Sequence, residues 1–383
     1  MHISAYTQII HQIFFNESQI YLDSLICLND KEKKLFLDHV SSSRIEKLFI
    51  EKVKPSNIKN IFGLRGFKFI ERNSNIRTIT TIENKRYAKL ISSRLLKKNI
   101  AHQFLKGINM HEYFYENHSI RPITDFDLLI QKKDLIETLG ICKEMGFDTK
   151  RWDLKKSNNL KVYRNPTLKH KNVIAQIDIH LEFSSFIFSN SLEYKNFYFD
   201  LLDTAISKKM ILCSMEDTFI HCLFHGTTQS AYNVGPIFIM DLIKMFQSEK
   251  IDWLDVKKKI KKYRLQKELN NILFYISNFI SVPVELREKD YSTNLELTEL
   301  KDVLLAPPKN TSIFSITKIN DFKILIKKLF YTEYLYHHNY QKFYLKYFLI
   351  NLLSLLKNHL LKVLYKKDSN IISKNRFKLL RDE

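Results

Sequence analysis

Glycine and proline, on which tight turns depend, occur only seven times each in 383 residues. A chain so poor in turn formers does not suit a many-stranded sandwich or barrel, and it is neither collagen-like nor linker-dominated. Ile, Leu, Lys, Asn, Phe and Tyr fill it instead, and 45% hydrophobic with 27% charged residues is globular composition, which excludes disorder along the whole length. The expectation is a helix-rich α+β fold, mixing α/β units with extra helices around a small sheet, over a length that allows two or three domains.

Apolar clusters at Ile9–Phe15, Ile20–Leu28 and Leu35–Val40 predict short helices in an N-terminal region, residues 1–80. Within it, residues 61–80 show little periodicity and carry Gly63 and Gly66, so no element is assigned there. From Ile82 onward the pattern sharpens. Tyr87, Leu90, Ile91, Leu95 and Leu96 recur at helical spacing and Asn99 closes that helix. Ile100–Leu105 reads as a strand, Gly107 opens a helix to about Asn117, and Asp125–Ile130 reads as a second strand. Lys133–Met145 is an amphipathic helix stopped by Gly146, and Val173–Phe183 is a strongly apolar strand. These elements form a compact α/β unit, assigned to residues 81–200. From about Leu201 the pattern is helical, with Ser214 as N-cap and Glu216 and Asp217 in the first turn of a helix through Phe224. A helical domain is therefore expected over 201–300, and Pro307-Pro308 separates it from a tail within 301–383.

The formal charge is +20, from 61 basic and 41 acidic residues. Such basicity suits a nucleic-acid partner. However, the basic residues are 48 Lys and only 13 Arg beside abundant Ile and Asn, a composition that AT-rich genomes produce whatever the protein binds. The tail 301–383 holds 16 basic and 6 acidic residues, half of the net charge. In it Leu345, Phe348, Leu349, Leu352, Leu353, Leu356, Leu360 and Val363 share one helical face. Two readings stand open for residues 343–364: a core-facing helix with a solvated basic side, or peripheral contact with an anionic membrane surface. The apolar run Tyr347–Leu356 is too short to span a bilayer, so no transmembrane span is expected. The first residues lack the basic start and apolar run of a signal peptide. Cys27, Cys142, Cys213 and Cys222 are scattered with no CxxC pair, as for free thiols in a reducing compartment. The expected location is the cytoplasm.

Asp125 and Asp127 are two residues apart on the strand-like stretch, so both carboxylates should leave one face. Carboxylates this close repel unless a cation sits between them, and hard oxygen ligands of this kind suit Mg²⁺ completed by substrate phosphates. A later carboxylate, Asp178, lies on the strand Gln-Ile-Asp-Ile-His-Leu and could reach the same place. DxD alone is a short motif that arises by chance. The upstream Lys106-Gly107 turn strengthens it, since a glycine between strand and helix lets a phosphate approach backbone amides.

Phe104-Leu105-Lys106-Gly107, Arg121-Pro122-Ile123-Thr124-Asp125-Phe126-Asp127-Leu128-Leu129-Ile130, Gly146-Phe147 and Asp178-Ile179-His180, in that order, resemble the uncharacterised nucleotidyltransferase family of the DNA-polymerase-beta-like superfamily. Met215-Glu216-Asp217 through His221, His225-Gly226 and Asp241-Leu242 are similar to its helical downstream portion, so the resemblance spans roughly residues 80–270. It implies a nucleotidyltransferase-type sheet and transfer of a nucleoside monophosphate from a nucleoside triphosphate to an acceptor, with release of pyrophosphate. It also implies that Asp125 and Asp127 hold catalytic Mg²⁺, two ions with Mn²⁺ as substitute, that Asp178 ligates the second ion or acts as base toward the acceptor hydroxyl, and that Lys106 and Gly107 cradle the triphosphate. Lys106 departs from the superfamily's pattern, where a glycine is usual. The acceptor is left open among RNA, protein and a small molecule.

Other readings stand beside these. Arg121 either holds a phosphate, pairs with Asp125 or Asp127, or makes a structural ion pair. His180, on the same strand face as Asp178, either orients that carboxylate or is a packed, hydrogen-bonded core histidine. His221 and His225 are spaced i, i+4 without an intervening HExxH glutamate or a third ligand, so packing of the helical region onto the sheet is expected and zinc is not. The alternative functions are a DxD-type glycosyltransferase using a nucleotide sugar, and a catalytically inactive nucleotide-binding module.

Overall fold

The computed structural model describes residues 3–15, 20–116, 120–150, 167–181, 192–209, 211–230, 232, 234–287 and 296–308. The chain begins with helices α1 (Ile3–Phe14), α2 (Ile20–Ile26), α3 (Asp30–Ser42) and α4 (Glu46–Val53). A capping box starts α3: Asn29 accepts from the Glu32 amide, and Glu32 accepts from the Asn29 amide. Two of the donors that a helix start leaves unpaired are thereby satisfied. Between α3 and α4 the chain reverses through Arg44, whose φ is +61°.

Helix α5 (Pro55–Lys97) opens on proline at its first turn and bends once, at Gly63 (φ 72°, ψ 171°). It runs unbroken through residues 64–80, where no element was assigned from the sequence. The reason is visible in its burial. Phe67 and Ile70 are buried whereas Leu64, Phe69, Ile76 and Ile79 face outward, so apolar residues fall on more than one side and dilute the period. The helix passes residue 80 without interruption and ends where Asn99 takes φ +55°.

A four-stranded sheet follows: β1 (His102–Leu105), β2 (Phe126–Ile130), β3 (Leu168–Lys169) and β4 (Gln176–Leu181), in the spatial order β1-β2-β4-β3. β1 pairs antiparallel with β2, β2 runs parallel to β4, and β3 is antiparallel to β4. Helix α6 (Gly107–Tyr113) follows β1, ending short of the expected Asn117, and α7 (Leu135–Glu144) lies between β2 and β3. Gly146, with φ +93°, stops α7 as expected. The apolar stretch expected as a strand from Val173 joins the ladder at Gln176.

The two faces of the sheet belong to two cores. Phe104, Phe126, Leu128, Ile130, Ile177, Ile179 and Leu181 pack against Tyr87, Ile91 and Leu95 of α5 and Leu135, Leu139 and Cys142 of α7. Leu105 and Leu129, on the opposite face, join a larger core made with the N-terminal helices and the later helices. β4 shows the alternation: Ile177, Ile179 and Leu181 are buried, and Gln176, Asp178 and His180 are half-buried on the other face. β2 is buried along its length because both faces are covered.

The later helices are α8 (Leu192–Lys208), α9 (Met215–Phe224), α10 (Pro236–Phe246), α11 (Trp253–Lys262), α12 (Gln266–Ile276) and α13 (Leu297–Leu305). Ser214 caps α9, its hydroxyl accepting from the Asp217 amide, as its sequence predicted. A π-turn, His225–Gln229, continues α9, and α10 starts with Pro236 after Gly235 (φ +81°). α13 returns to α1: Thr7 Oγ1 donates to Asp302, and a ring nitrogen of His39 meets the Leu305 carbonyl at 3.1 Å. All four cysteines are free; Cys142 and Cys213 are buried, Cys222 is half-buried and Cys27 is exposed. Among the described residues no helix is long and apolar enough to cross a membrane. The basic amphipathic segment 343–364 lies outside the described residues.

Candidate active site

The turn after β1 sets the site. Leu105 is registered opposite Asp127, so the next residue, Lys106, emerges beside that carboxylate. Its backbone takes φ +47° and ψ −115°, a conformation natural to glycine and uncommon for a lysine. The Asn109 side chain closes the turn by donating to the Phe104 carbonyl at 2.8 Å. A Cβ on Gly107 would stand 2.9 Å from Arg121 Nη1 and 3.3 Å from Ile123, so glycine makes room for the chain segment that carries the acidic motif.

The parallel pairing of β2 with β4 places Asp127 directly opposite Asp178. Asp125 lies one residue ahead of β2, in the bend, rather than in the ladder with Asp127 as expected. It still reaches the same pocket, and Thr124 Oγ1 donates to its Oδ1 at 3.2 Å. Asp127 is buried, and both of its polar partners converge on Oδ1: Lys106 Nζ at 2.5 Å and His180 Nε2 at 2.7 Å. Burial alone would raise the Asp127 pKa, yet the Lys106 ammonium and His180 outweigh it and hold this carboxyl well below the usual range. Asp125 goes the other way: burial first, then the charges of Asp127 and Asp178, push its carboxyl up against Lys106 and Arg44. Lys106 is raised, because the attraction of Asp127 and Asp125 exceeds its own desolvation.

Two residues whose partners the sequence left open find them elsewhere in the fold. His180 does not sit on Asp178, its neighbour along the strand; it reaches diagonally across to Asp127. Arg121 does not pair with Asp125 or Asp127. Its Nε and Nη2 grip Asp241 of α10 at 2.9 and 2.8 Å, and Tyr115 donates to Asp241 Oδ1 at 2.9 Å. The Arg121 carbonyl in turn accepts from His111 Nε2 at 2.5 Å. Planar, bidentate pairing satisfies both groups. It anchors the 120–125 segment to the helical side of the molecule.

Between the sheet and the helices opens a pocket of about 210 Å³. Asp125, Asp127, Asp178, Lys106, Gly107 and Arg121 all border it, so the six strongest candidates from the sequence come together. Met110, Val234, Ile237 and Phe238 add apolar lining to the pocket, and Thr218, Cys222 and His225 complete it. Arg44, from the α3–α4 turn, also lines it and donates from Nη1 to Thr124 Oγ1 at 3.1 Å. The sequence reading missed Arg44, and it named Thr124, His225 and Asp241 without giving them a place in the pocket. Asp241 stood in a recognised motif, while nothing in the local pattern around Arg44 marked it. His221 is buried, its ring centroid 6.1 Å from Phe197 and 5.8 Å from Tyr198, in the packing role expected.

The donor set is chemically suited to a hard divalent cation. Three carboxylates from two adjacent strands and a bend border one pocket, and their mutual repulsion is what such an ion relieves. Lys106 Nζ already neutralises Asp127 at Oδ1. In the side-chain positions adopted, no three His, Cys, Asp or Glu among the described residues enclose a metal position.

A family described as uncharacterised nucleotidyltransferase matches residues 31–281, which includes the α3–α4 turn as well as the sheet and the helices that close the pocket. No curated protein and no solved structure matches the chain. With well over half of its length covered, the chain belongs to this family of uncharacterised nucleotidyltransferases.

Proposed function

We propose that the chain transfers a nucleoside monophosphate from a nucleoside triphosphate to an acceptor. The observation that carries this reading is the registered pair Asp127–Asp178 with Asp125 beside it, all three facing one pocket against a single lysine. An acceptor oxygen attacks the α-phosphorus, the bond to the bridging oxygen breaks, and pyrophosphate leaves with the electron pair. Asp125, Asp127 and Asp178 would hold Mg²⁺, or Mn²⁺ in its place, with room in the donor set for two ions. Bound there, the metal supplies neutralisation of phosphate charge. His180 holds Asp127 in one orientation, and the Lys106 ammonium, helped by His180, keeps its carboxylate ionised. Gly107 leaves the turn bare of a side chain, and the apolar lining from Met110, Ile237 and Phe238 offers a surface for the nucleoside. The acceptor is RNA, a protein or a small molecule.

One observation favours a second reading, a nucleotide-binding module without turnover: Lys106 already neutralises Asp127. Incubation with each α-labelled nucleoside triphosphate, Mg²⁺ and fractionated cell extract separates the two. Transfer predicts label in one acceptor fraction with wild-type protein and none with Asp127→Asn. Nucleotide binding with no label in any fraction would leave the module.

A further inference from the structure

Three arginines cluster around the acidic motif, and they are not equivalent. Arg77 is held by Glu46 at 3.0 Å and Arg121 by Asp241 at 2.8 Å. Arg44 is different: among the described residues its one side-chain hydrogen bond goes to a neutral hydroxyl, Thr124 Oγ1, and no carboxylate stands within ion-pair distance. Burial lowers its pKa first; Asp125 and, more weakly, Glu46 pull the other way, and the charges of Arg77 and Arg121 lower it further. A guanidinium on the wall of a pocket, bonded to a hydroxyl and touched by no carboxylate, keeps N–H donors available to an anion that enters. The backbone carries a cost, since φ +61° is uncommon for a residue with a long side chain.

Thr124 gives the arrangement its direction. Its hydroxyl accepts from Arg44 and donates to Asp125, so the guanidinium is fixed relative to the carboxylates it borders. Lys106 and Arg121 each have a carboxylate partner, which leaves Arg44, among the described residues, as the pocket-lining cation without one. We infer that Arg44 binds the polyphosphate of the nucleoside triphosphate, and that the N-terminal helices serve to deliver it into the pocket. This rests on the proposed nucleotidyl transfer, in which the same guanidinium would neutralise the departing pyrophosphate. Arginine suits the task because its planar fork meets phosphate oxygens two at a time.

The test measures binding of inorganic tripolyphosphate, a nucleoside triphosphate and a nucleoside monophosphate to the full chain by titration calorimetry. Asn tolerates the left-handed turn better than Arg does, so Arg44→Asn removes the charge while easing the backbone. The expected result is unchanged thermal stability, tripolyphosphate and triphosphate binding weakened about tenfold or more, and monophosphate binding within about threefold of wild type. Tripolyphosphate affinity within about twofold of wild type overturns the role of Arg44 and leaves nucleotidyl transfer standing. Wild-type protein that binds neither triphosphate nor tripolyphosphate removes the proposed function, and this inference with it. Should Arg44→Asn not fold, Arg44→Lys keeps the charge without the fork. A loss of about fivefold then supports the role, and wild-type affinity for tripolyphosphate rejects it.

Discussion

Two buried carboxylates face the same pocket, and they are treated in opposite ways. Asp241 is saturated: Arg121 takes both of its oxygens and Tyr115 adds a third donor. Asp127 has its two partners, Lys106 and His180, crowded onto Oδ1 and stands opposite a second carboxylate in the strand register. The Asp241 cluster joins the segment after α6 to α10, and its charges cancel within it. The Asp127 cluster gathers three acids against one lysine and is left with excess negative charge. The first arrangement is how a fold is tied together. The second withholds neutralisation, so that a bound cation and phosphate can provide it.

The largest effect expected follows from that contrast. Asp127→Asn should lower transfer by about a thousandfold or more while costing about 1–2 kcal/mol in denaturant unfolding, because the lost ion pair is offset by relief of repulsion. Asp241→Ala should do the reverse in kind, costing about 3–5 kcal/mol by stranding a buried guanidinium and the Tyr115 hydroxyl. Equal stability losses for the two variants would break the comparison.

Acid should act on neither cluster first. His39 and His11, in the seam where α1 and α3 meet α12 and α13, have pKa values pushed down to about 4, chiefly by burial. A histidine lowered in the folded state binds protons more readily when unfolded, so its stabilisation is complete above pH ~6.5 and is lost as pH falls toward about 4. For His39 this amounts to about 2–3 kcal/mol. Unfolding measured from pH 7.5 to 4.5 should show that loss, and His39→Gln should flatten it. An unchanged slope would place the acid-sensitive group elsewhere.

The smallest effect concerns Lys106. If its ammonium stands where a metal would neutralise Asp127, Lys106→Gln should bind Mn²⁺ alone about tenfold more tightly than wild type. Mn²⁺ can be followed by its paramagnetic resonance without any turnover. Weaker Mn²⁺ binding in the variant would mean that Lys106 supports the carboxylates rather than replacing an ion.

Much of this site was legible in the sequence because its parts are local. Alternation along 176–181 put Asp178 and His180 on one face, a glycine marked the turn at 107, and the caps at Ser214 and Gly146 bounded their helices. The helix through 61–80 was hidden because its outward-facing isoleucines and phenylalanine blurred the period that would reveal it. Asp125 was assigned to the strand since spacing alone cannot tell the first ladder residue from the bend before it.

What the sequence by itself determined is the set of groups and their immediate backbone settings: three carboxylates, a lysine at a turn that prefers glycine, and helices bounded by their own caps. These depend on interactions within a few residues, whose geometry the local periods dictate. Only the tertiary structure decided how the charges pair. Arg121 met Asp241 across 120 positions, His180 reached Asp127 from the adjacent strand, and Arg44 entered the pocket from a turn 80 residues before Thr124. No local pattern encodes such pairs, because they form only when two cores close on opposite faces of one sheet and bring distant segments within a hydrogen bond of each other.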